Sequence, residues 1–130
     1  LYINSDNEVR EFCSLPSGTH NARPFRDGVL FNDTANNHVR FVTPDRALAM
    51  PILVYPENEL SFRGVDNSKV ARQGFGRGLT LLSEDLLAAG SSPSTVSLYE
   101  LRSGRCVDAV NISMDIRNAI HGLEVWPYEG

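Results

Sequence analysis

The sequence predicts an all-β domain made of four-stranded antiparallel sheets. The first observation is a succession of apolar runs of about four to eight residues, each bounded by Gly, Pro, Asn, Asp or Ser, which is typical of a meander of antiparallel strands. The second is an internal repeat with a period of roughly fifty residues. Together they indicate blades of the β-propeller type, because four-stranded blades repeat about every 40–50 residues.

The repeat is clearest when the start of the chain is compared with a later segment. Leu1–Cys13 and Leu98–Val110 both begin with Leu-Tyr and both contain an apolar strand, a polar turn and a second strand. A polar or basic side chain also stands just ahead of the first strand of three successive units, as His20, Arg77 and His121. About fifty residues separate each of these from the next, as expected for propeller blades.

Two complete blades are predicted, each with four strands separated by turn residues such as Asp27-Gly28 and Ser103-Gly104. The first covers residues 20–55, with strands at Asn21–Phe25, Val29–Asp33, Val39–Thr43 and Pro51–Tyr55. The second covers residues 77–112, with strands at Gly78–Leu82, Leu86–Ala89, Thr95–Leu101 and Cys106–Ile112.

Incomplete blades flank these two, so residues 1–130 form a single partial propeller domain. Residues 1–13 are predicted to end one blade and residues 121–130 to begin another. Between the complete blades, the polar, glycine-containing segment Pro56–Gly76 is predicted to be a long connection over one face. The flanking strands are predicted at Leu1–Asn4, Glu8–Cys13 and Leu123–Trp126.

Two segments also carry helix signals. Ser83–Gly90 has an N-cap residue, an acidic first turn and a terminal Gly, which together resemble a short helix. We favour a strand there, because only about six residues fit between the caps and helices that short are marginal. Met114–His121 is similarly ambiguous and is compatible with a turn of helix between blades.

Apolar side chains on alternate positions of the predicted strands are expected between blades. Trp126 is interpreted as core between sheets, whereas His38 is expected in a solvent-exposed outer turn. The other positions expected between blades are Val29, Leu30, Phe41, Val54, Leu81, Leu86, Val96, Leu98, Val110 and Val125.

Composition argues against several classes of partner. A formal net charge of −4 and an isoelectric point near 5.3 disfavour nucleic acid and anionic membranes, which both select basic surfaces. The longest nearly uncharged apolar run, Ala47–Tyr55, is interrupted by Pro51 and is far below the ~18 residues of a membrane span. Cys13 and Cys106 are too few for a disulfide scaffold and lack metal-ligand spacing. Because they are predicted on outer strands two blades apart, we expect free thiols and a cytoplasmic setting.

Several segments resemble one known family. They are Phe75–Leu79, Ala89–Ser92, Leu98–Leu101, Ser103-Gly104, Ile116–Pro127, Gly18–Ala22 and Leu30–Thr34. They look like blades from the C-terminal half of a bacterial family of uncharacterised, six-bladed, NHL-like β-propellers. A closed ring in that family takes over twice this length. The resemblance therefore implies either a half-propeller that closes by self-association or a piece completed by a missing propeller segment, since exposed sheet edges are prone to associate.

The candidate site lies where each blade is entered. In a propeller the innermost strands line a central channel, so His20, Arg77 and His121 would surround one channel mouth. An arginine there can clamp a carboxylate, and imidazoles can bind an anion or a divalent metal. Asn21 and Asp33 are further candidates, because amide and carboxylate oxygens are ligand atoms.

The predicted function is a binding scaffold for a small anionic or carbohydrate-like ligand at this mouth, without catalytic residues and without an assigned cofactor. One alternative is a metal-assisted lyase or lactone hydrolase that uses the histidines as ligands, since some six-bladed propellers have that chemistry. Another is a structural interaction module, in which these side chains only bridge blades through backbone carbonyls. Fold resemblance transfers no activity by itself. No Walker loop, His-Glu-x-x-His, Gly-x-Ser-x-Gly or Cys-x-x-Cys motif occurs in the sequence.

Overall fold

The computed structural model describes residues 1–62 and 71–128. Within these ranges the chain forms two four-stranded antiparallel sheets and one small hairpin. The all-β class and the four-stranded antiparallel sheets are therefore confirmed. The predicted connection Pro56–Gly76 and the predicted last blade at 121–130 lie partly outside the described residues. Helical structure in the described part is limited to single 3₁₀ turns at Thr34–Asn36 and Glu57–Glu59, and no helix there has the length and apolar character needed to cross a bilayer.

Both four-stranded sheets are meanders in which each strand pairs with the one before it. The small hairpin consists of β1 (Tyr2–Ile3) and β2 (Val9–Arg10). The first sheet comprises β3 (Thr19–Phe25), β4 (Gly28–Asp33), β5 (His38–Val42) and β6 (Ala47–Pro51). The second comprises β7 (Gly78–Leu81), β8 (Leu86–Ser91), β9 (Thr95–Glu100) and β10 (Arg105–Asn111).

The turn chemistry explains why the strands end where they do. Arg26 (φ 52°), Asn37 (φ 57°) and Gly104 (φ 67°) have left-handed backbone conformations in the turns that follow β3, precede β5 and precede β10. Glycine and asparagine adopt this conformation at low cost, which stops a strand and reverses the chain. Each reversal is short, so consecutive strands become hydrogen-bonded neighbours.

The core lies between the facing surfaces of the two sheets. Alternation along the strands directs every second side chain inward, as in β5, where Val39 and Phe41 are buried between half-buried neighbours. Burying an aliphatic or aromatic side chain of this size contributes roughly 1.5–3 kcal/mol. The buried cluster consists of Leu30, Val39, Phe41, Met50, Ile52, Leu79, Leu87, Ala89, Tyr99 and Leu101.

The segment after β10 runs back across the edge of the second sheet. Ile120 accepts a hydrogen bond from Gly78 N at 2.9 Å and donates its own N–H to Ser91 O at 3.3 Å. Gly90 permits this approach, because a Cβ there would lie 2.6 Å from both the carbonyl oxygen and Cγ2 of Ile120. This segment is thereby held over the end of β7 and β8, where the candidate site lies.

The strand prediction for Ser83–Gly90 is confirmed and the helix alternative is wrong. Residues 83–85 form a bend, and β8 begins at Leu86. The stretch Met114–His121 contains no helix, only a turn in which Asn118 N donates to Asp115 O at 3.0 Å. Tertiary pairing with β7 and β9 supplies the hydrogen bonds that a six-residue helix could not hold alone.

Other predictions about strands are wrong. The fourth strand of the first sheet is Ala47–Pro51 rather than Pro51–Tyr55, because proline has no N–H to donate and ends the strand instead of opening it. Leu123–Trp126 is not a strand, and Trp126 is 74% exposed rather than core. His38 is half-buried as the first residue of β5, not an exposed turn residue, and its Nδ1 lies 2.6 Å from the carbonyl oxygen of Asn36.

The burial predicted for apolar side chains between blades is found at some positions and not at others. Leu30 and Phe41 are fully buried, and Cys13 and Cys106 are free thiols as predicted. Five further positions are half-buried: Val29, Leu81, Leu86, Val96 and Leu98. Three are exposed in the described chain because no second sheet covers them: Val54, Val110 and Val125.

Candidate functional site

One end of the two sheets contains a cleft of about 220 Å³. Three pieces of chain meet there: the segment leading into β7, the turn between β8 and β9, and the segment that follows β10. In the antiparallel second sheet, the start of β7, the turn between β8 and β9 and the end of β10 lie at the same end, which brings these pieces together. The lining side chains are Phe75, Arg77, Ser92, Ile116, Arg117, Ala119 and His121.

The backbone of Arg77 is hydrogen-bonded through both its N–H and its carbonyl group. Its N–H donates to Gly90 O at 2.9 Å. Its carbonyl accepts from Asn32 Nδ2 at 3.1 Å and also from Asn21 Nδ2. Asn32 is completely buried, and the same amide donates to Gly78 O at 3.1 Å. The first residues of β7 are thereby fixed against the first sheet, which positions the Arg77 side chain.

The guanidinium of Arg77 has no ionic partner among the described residues. It lies over the Phe75 ring with Cζ 4.7 Å from the ring centroid, and its Nε is buried without a hydrogen-bond partner. By contrast, Arg40 Nε lies 2.8 Å from an Asp33 carboxylate oxygen, and Arg117 pairs with Asp115. A half-buried cation without a compensating charge is costly, so within the described part of the chain the cleft presents an unused positive charge.

His20 does not line the cleft; its hydrogen bonds support the backbone that leads into Arg77. Its Nδ1 lies 2.9 Å from Thr34 Oγ1, and that hydroxyl donates to Gly76 O at 2.6 Å. Because a hydroxyl has one proton and Thr34 gives it to Gly76, His20 Nδ1 must be the donor in its own contact. This chain of two hydrogen bonds fixes the residue that precedes Arg77.

Close packing makes the same connection rigid at Gly76. A Cβ at this position would lie 2.7 Å from Ile52 Cδ1 and 3.0 Å from Asn32 Oδ1. The backbone between Phe75 and Arg77 therefore approaches the first sheet as closely as a glycine allows.

Burial lowers the pKa of His20 below its usual value, and the charges of Arg77 and His121 lower it further, against an opposing hydrogen bond to the Gly18 backbone. The imidazole is consequently neutral at neutral pH, with Nδ1 protonated and Nε2 free to accept. The ring lies against Phe75, with centroids 6.3 Å apart. Of the three residues predicted to surround one channel mouth, Arg77 and His121 line the cleft, and His20 does not.

Another residue of the cleft lining, Arg117, carries a compensated charge. Arg117 Nε lies 2.9 Å from Asp115 Oδ1 and 3.1 Å from Oδ2, so both oxygens of the carboxylate accept from the guanidinium. These hydrogen bonds, with a further one from the Arg117 backbone, lower the pKa of Asp115. The Arg117 guanidinium also lies 3.8 Å from the centroid of the Phe62 ring. Arg117 therefore brings little net charge to the cleft.

The other predicted site residues lie away from the cleft wall. Asp33 is completely buried, where it pairs with Arg40 and accepts from Asn36 Nδ2 at 2.9 and 3.0 Å. Because its carboxylate oxygens already accept from Arg40 and Asn36, they are not available to a ligand. Asn21 is exposed, and its amide is engaged with the Arg77 carbonyl.

Comparisons with protein-family models, with curated proteins and with solved structures gave no match to this chain. The resemblance to NHL-like propellers therefore stays a prediction. In residues 1–62 and 71–128, no group of three His, Cys, Asp or Glu side chains is arranged to hold a metal ion.

Sequence reasoning missed five residues of the cleft: Phe75, Ser92, Ile116, Arg117 and Ala119. A signal existed for Phe75, because residues two apart in an extended segment point to the same side, and Phe75 precedes Arg77 by two. Asp115 and Arg117 have the same spacing, which is compatible with their ion pair. No pattern in the sequence indicated that the segment after β10 turns back to meet β7.

Proposed function

We propose that this chain is a binding scaffold of the β-propeller type, whose cleft takes a small anionic or carbohydrate-like ligand on Arg77 and His121. The single observation that carries the proposal is Arg77 at the wall of a cleft, with a buried Nε that has no hydrogen-bond partner and a charge that has no ionic partner among the described residues. Hydrogen bonds to a charged group contribute about 1.5–3 kcal/mol, and an anion would compensate a charge that residues 1–62 and 71–128 leave without a partner.

The rigidity of the site supports binding over a purely structural role. A bridging arginine would donate to carbonyls of a neighbouring sheet, yet the buried Nε of Arg77 has no hydrogen-bond partner in the described chain. Its backbone is instead held by Asn32 and by the His20–Thr34–Gly76 hydrogen bonds. A preorganised cation loses little conformational entropy when a ligand binds.

The propeller arrangement is part of the same proposal. Two consecutive meanders of four strands face each other across one core, and an N-terminal hairpin and a C-terminal segment flank them in chain order. Adjacent propeller blades have this relationship. A ring of this type would be completed by self-association or by a further propeller segment, which would cover the exposed apolar side chains Val110, Ile112 and Trp126.

A calorimetric titration with a panel of anions tests the binding proposal. Arg77→Met keeps the length of the side chain over Phe75 and removes its charge. Arg105→Met is the matched control, because Arg105 is an exposed arginine at the start of β10, remote from the cleft. We expect an anion whose binding is lost in Arg77→Met and kept in Arg105→Met. Equal binding by both variants, or no binding by the wild type, would contradict the proposal.

A further inference from the structure

We infer that the anion bound in this cleft is a small monocarboxylate with an apolar body, whose carboxylate accepts from the terminal nitrogens of Arg77. The inference rests on the proposed function and adds the class of ligand. Three features of the cleft select this class: its net charge, its hydrogen-bonding groups and its apolar lining.

At pH 8, where histidine side chains such as those near the cleft are in general neutral, the charge of the cleft matches one negative charge. Arg77 has no ionic partner among the described residues, whereas the charge of Arg117 is cancelled by Asp115. His20 is neutral at neutral pH because burial and Arg77 disfavour its protonated form. A phosphate or sulfate dianion would therefore leave one negative charge uncompensated in a partly desolvated cleft, and a monoanion would not.

The hydrogen-bonding groups favour a carboxylate over a polyol. Because the Nε of Arg77 is buried, its terminal nitrogens are the ones left for a ligand, and their spacing suits the two oxygens of a carboxylate. Ser92 Oγ donates its proton to Ile116 O at 2.7 Å and can only accept from a ligand. A sugar without an acidic group would thus find few neutral donors here.

The size and lining of the cleft favour a short apolar body. A volume of about 220 Å³ lies below the ~300 Å³ at which pockets for drug-sized ligands begin. Phe75, Ile116 and Ala119 supply apolar wall, and Ile116 is only 3% exposed. An aromatic or short aliphatic group attached to the carboxylate would bury against these side chains.

Calorimetric titrations at pH 8, where histidine side chains are in general neutral, test the inference with four probes: benzoate, butyrate, benzamide and inorganic phosphate. We expect one of the two carboxylates to bind about tenfold or more tightly than phosphate, and benzamide, which has the shape of benzoate without its charge, not to bind. Arg77→Met should abolish this binding. Arg77→Lys should weaken it about tenfold, since an ammonium cannot engage both oxygens from fixed positions.

The outcomes distinguish a wrong ligand class from a wrong anion site. If phosphate binds as tightly as the carboxylates and is lost in Arg77→Met, the ligand class is wrong while the anion site stands. If benzamide binds as tightly as benzoate, charge recognition is absent and the inference fails. If no probe binds, or if Arg77→Met binds like the wild type, both the inference and the proposed function fail.

Discussion

The hydroxyl of Tyr99 donates to the carbonyl oxygen of Pro51 at 3.0 Å, which joins β9 of the second sheet to the last residue of β6 in the first. Tyr99 is 1% exposed and belongs to the core cluster. The pair is therefore a part-buried hydrogen bond between the two sheets at the border of the core, where leaving a buried hydroxyl without a partner is costly.

Burial raises the pKa of Tyr99 to about 12, with a smaller contribution from Cys106. Because the folded pKa lies above the unfolded value near 10, Tyr99 contributes its full stability below pH 10 and loses it as the pH rises towards 12. We expect the stability advantage of the wild type over Tyr99→Phe to shrink by about 2–3 kcal/mol between pH 9 and pH 12.

Urea denaturation of both proteins at several pH values measures this difference. Tyr2→Phe is the control, because Tyr2 is 54% exposed in the N-terminal hairpin and should show no such pH dependence. A constant difference between wild type and Tyr99→Phe from pH 9 to pH 12 would show that Tyr99 is not buried between the sheets.

Gly90→Ala should destabilise the protein by about 1–3 kcal/mol, because the new methyl group would meet the Ile120 backbone 2.6 Å away. The segment after β10 would have to leave β7 and β8, so limited proteolysis near Ile120 should accelerate. Gly122→Ala is a matched control in the same segment, where a Cβ meets nothing within 4 Å. Similar stabilities for the two variants would contradict the described path of this segment.

Metal binding tests the alternative of a metal-assisted lyase or lactone hydrolase. We expect less than one equivalent of Zn²⁺ or Mn²⁺ to stay bound after dialysis, and a His20→Ala/His121→Ala double variant to retain as much as the wild type. The physical reason is that His20 Nδ1 is hydrogen-bonded to Thr34 Oγ1 and that the described chain has no third ligand nearby. If the wild type retains one equivalent of metal and the double variant loses it, the metal-assisted lyase or lactone hydrolase is favoured.

Mass in solution tests the partner proposal. A chain of 14.4 kDa whose outer sheet face leaves Val110 60% and Ile112 70% exposed should associate with copies of itself. We expect light scattering to give a multiple of the monomer mass. Val110→Lys, on β10, should shift the distribution to the monomer. A monomeric wild type with a well-dispersed spectrum of a folded protein would contradict self-association.

The strand order could be predicted from the sequence because turns are local. Residues such as Asn37 and Gly104 reverse the chain within a few positions, and neighbouring apolar runs then pair. Pro51 misled the prediction, because an apolar run continues after it while its missing N–H ends the ladder. Trp126 misled it for another reason: hydrophobicity favours burial, but nothing in the local sequence says whether a further sheet is there to cover the side chain.

The site was predictable to the extent that it repeats. Arg77 and His121 precede equivalent strands in the predicted repeat, and both line the cleft. Asp33 was predicted as a ligand residue, but successive residues of a strand point to opposite faces, and it is the neighbouring Asn32 that holds the Arg77 backbone. Arg117 could not be predicted, because its proximity depends on how the chain returns after β10.

A titration followed by ¹H–¹⁵N NMR of the arginine Nε–H groups tests the central claim most directly. The Nε of Arg77 is buried without an acceptor, so its signal should be sharp and isolated, and it should move saturably as benzoate is added. The same titration is made with butyrate. The signal should be absent in Arg77→Met, and that of Arg105 should stay fixed. A Nε–H of Arg77 that responds to neither carboxylate, whether or not other arginines shift, would contradict the account.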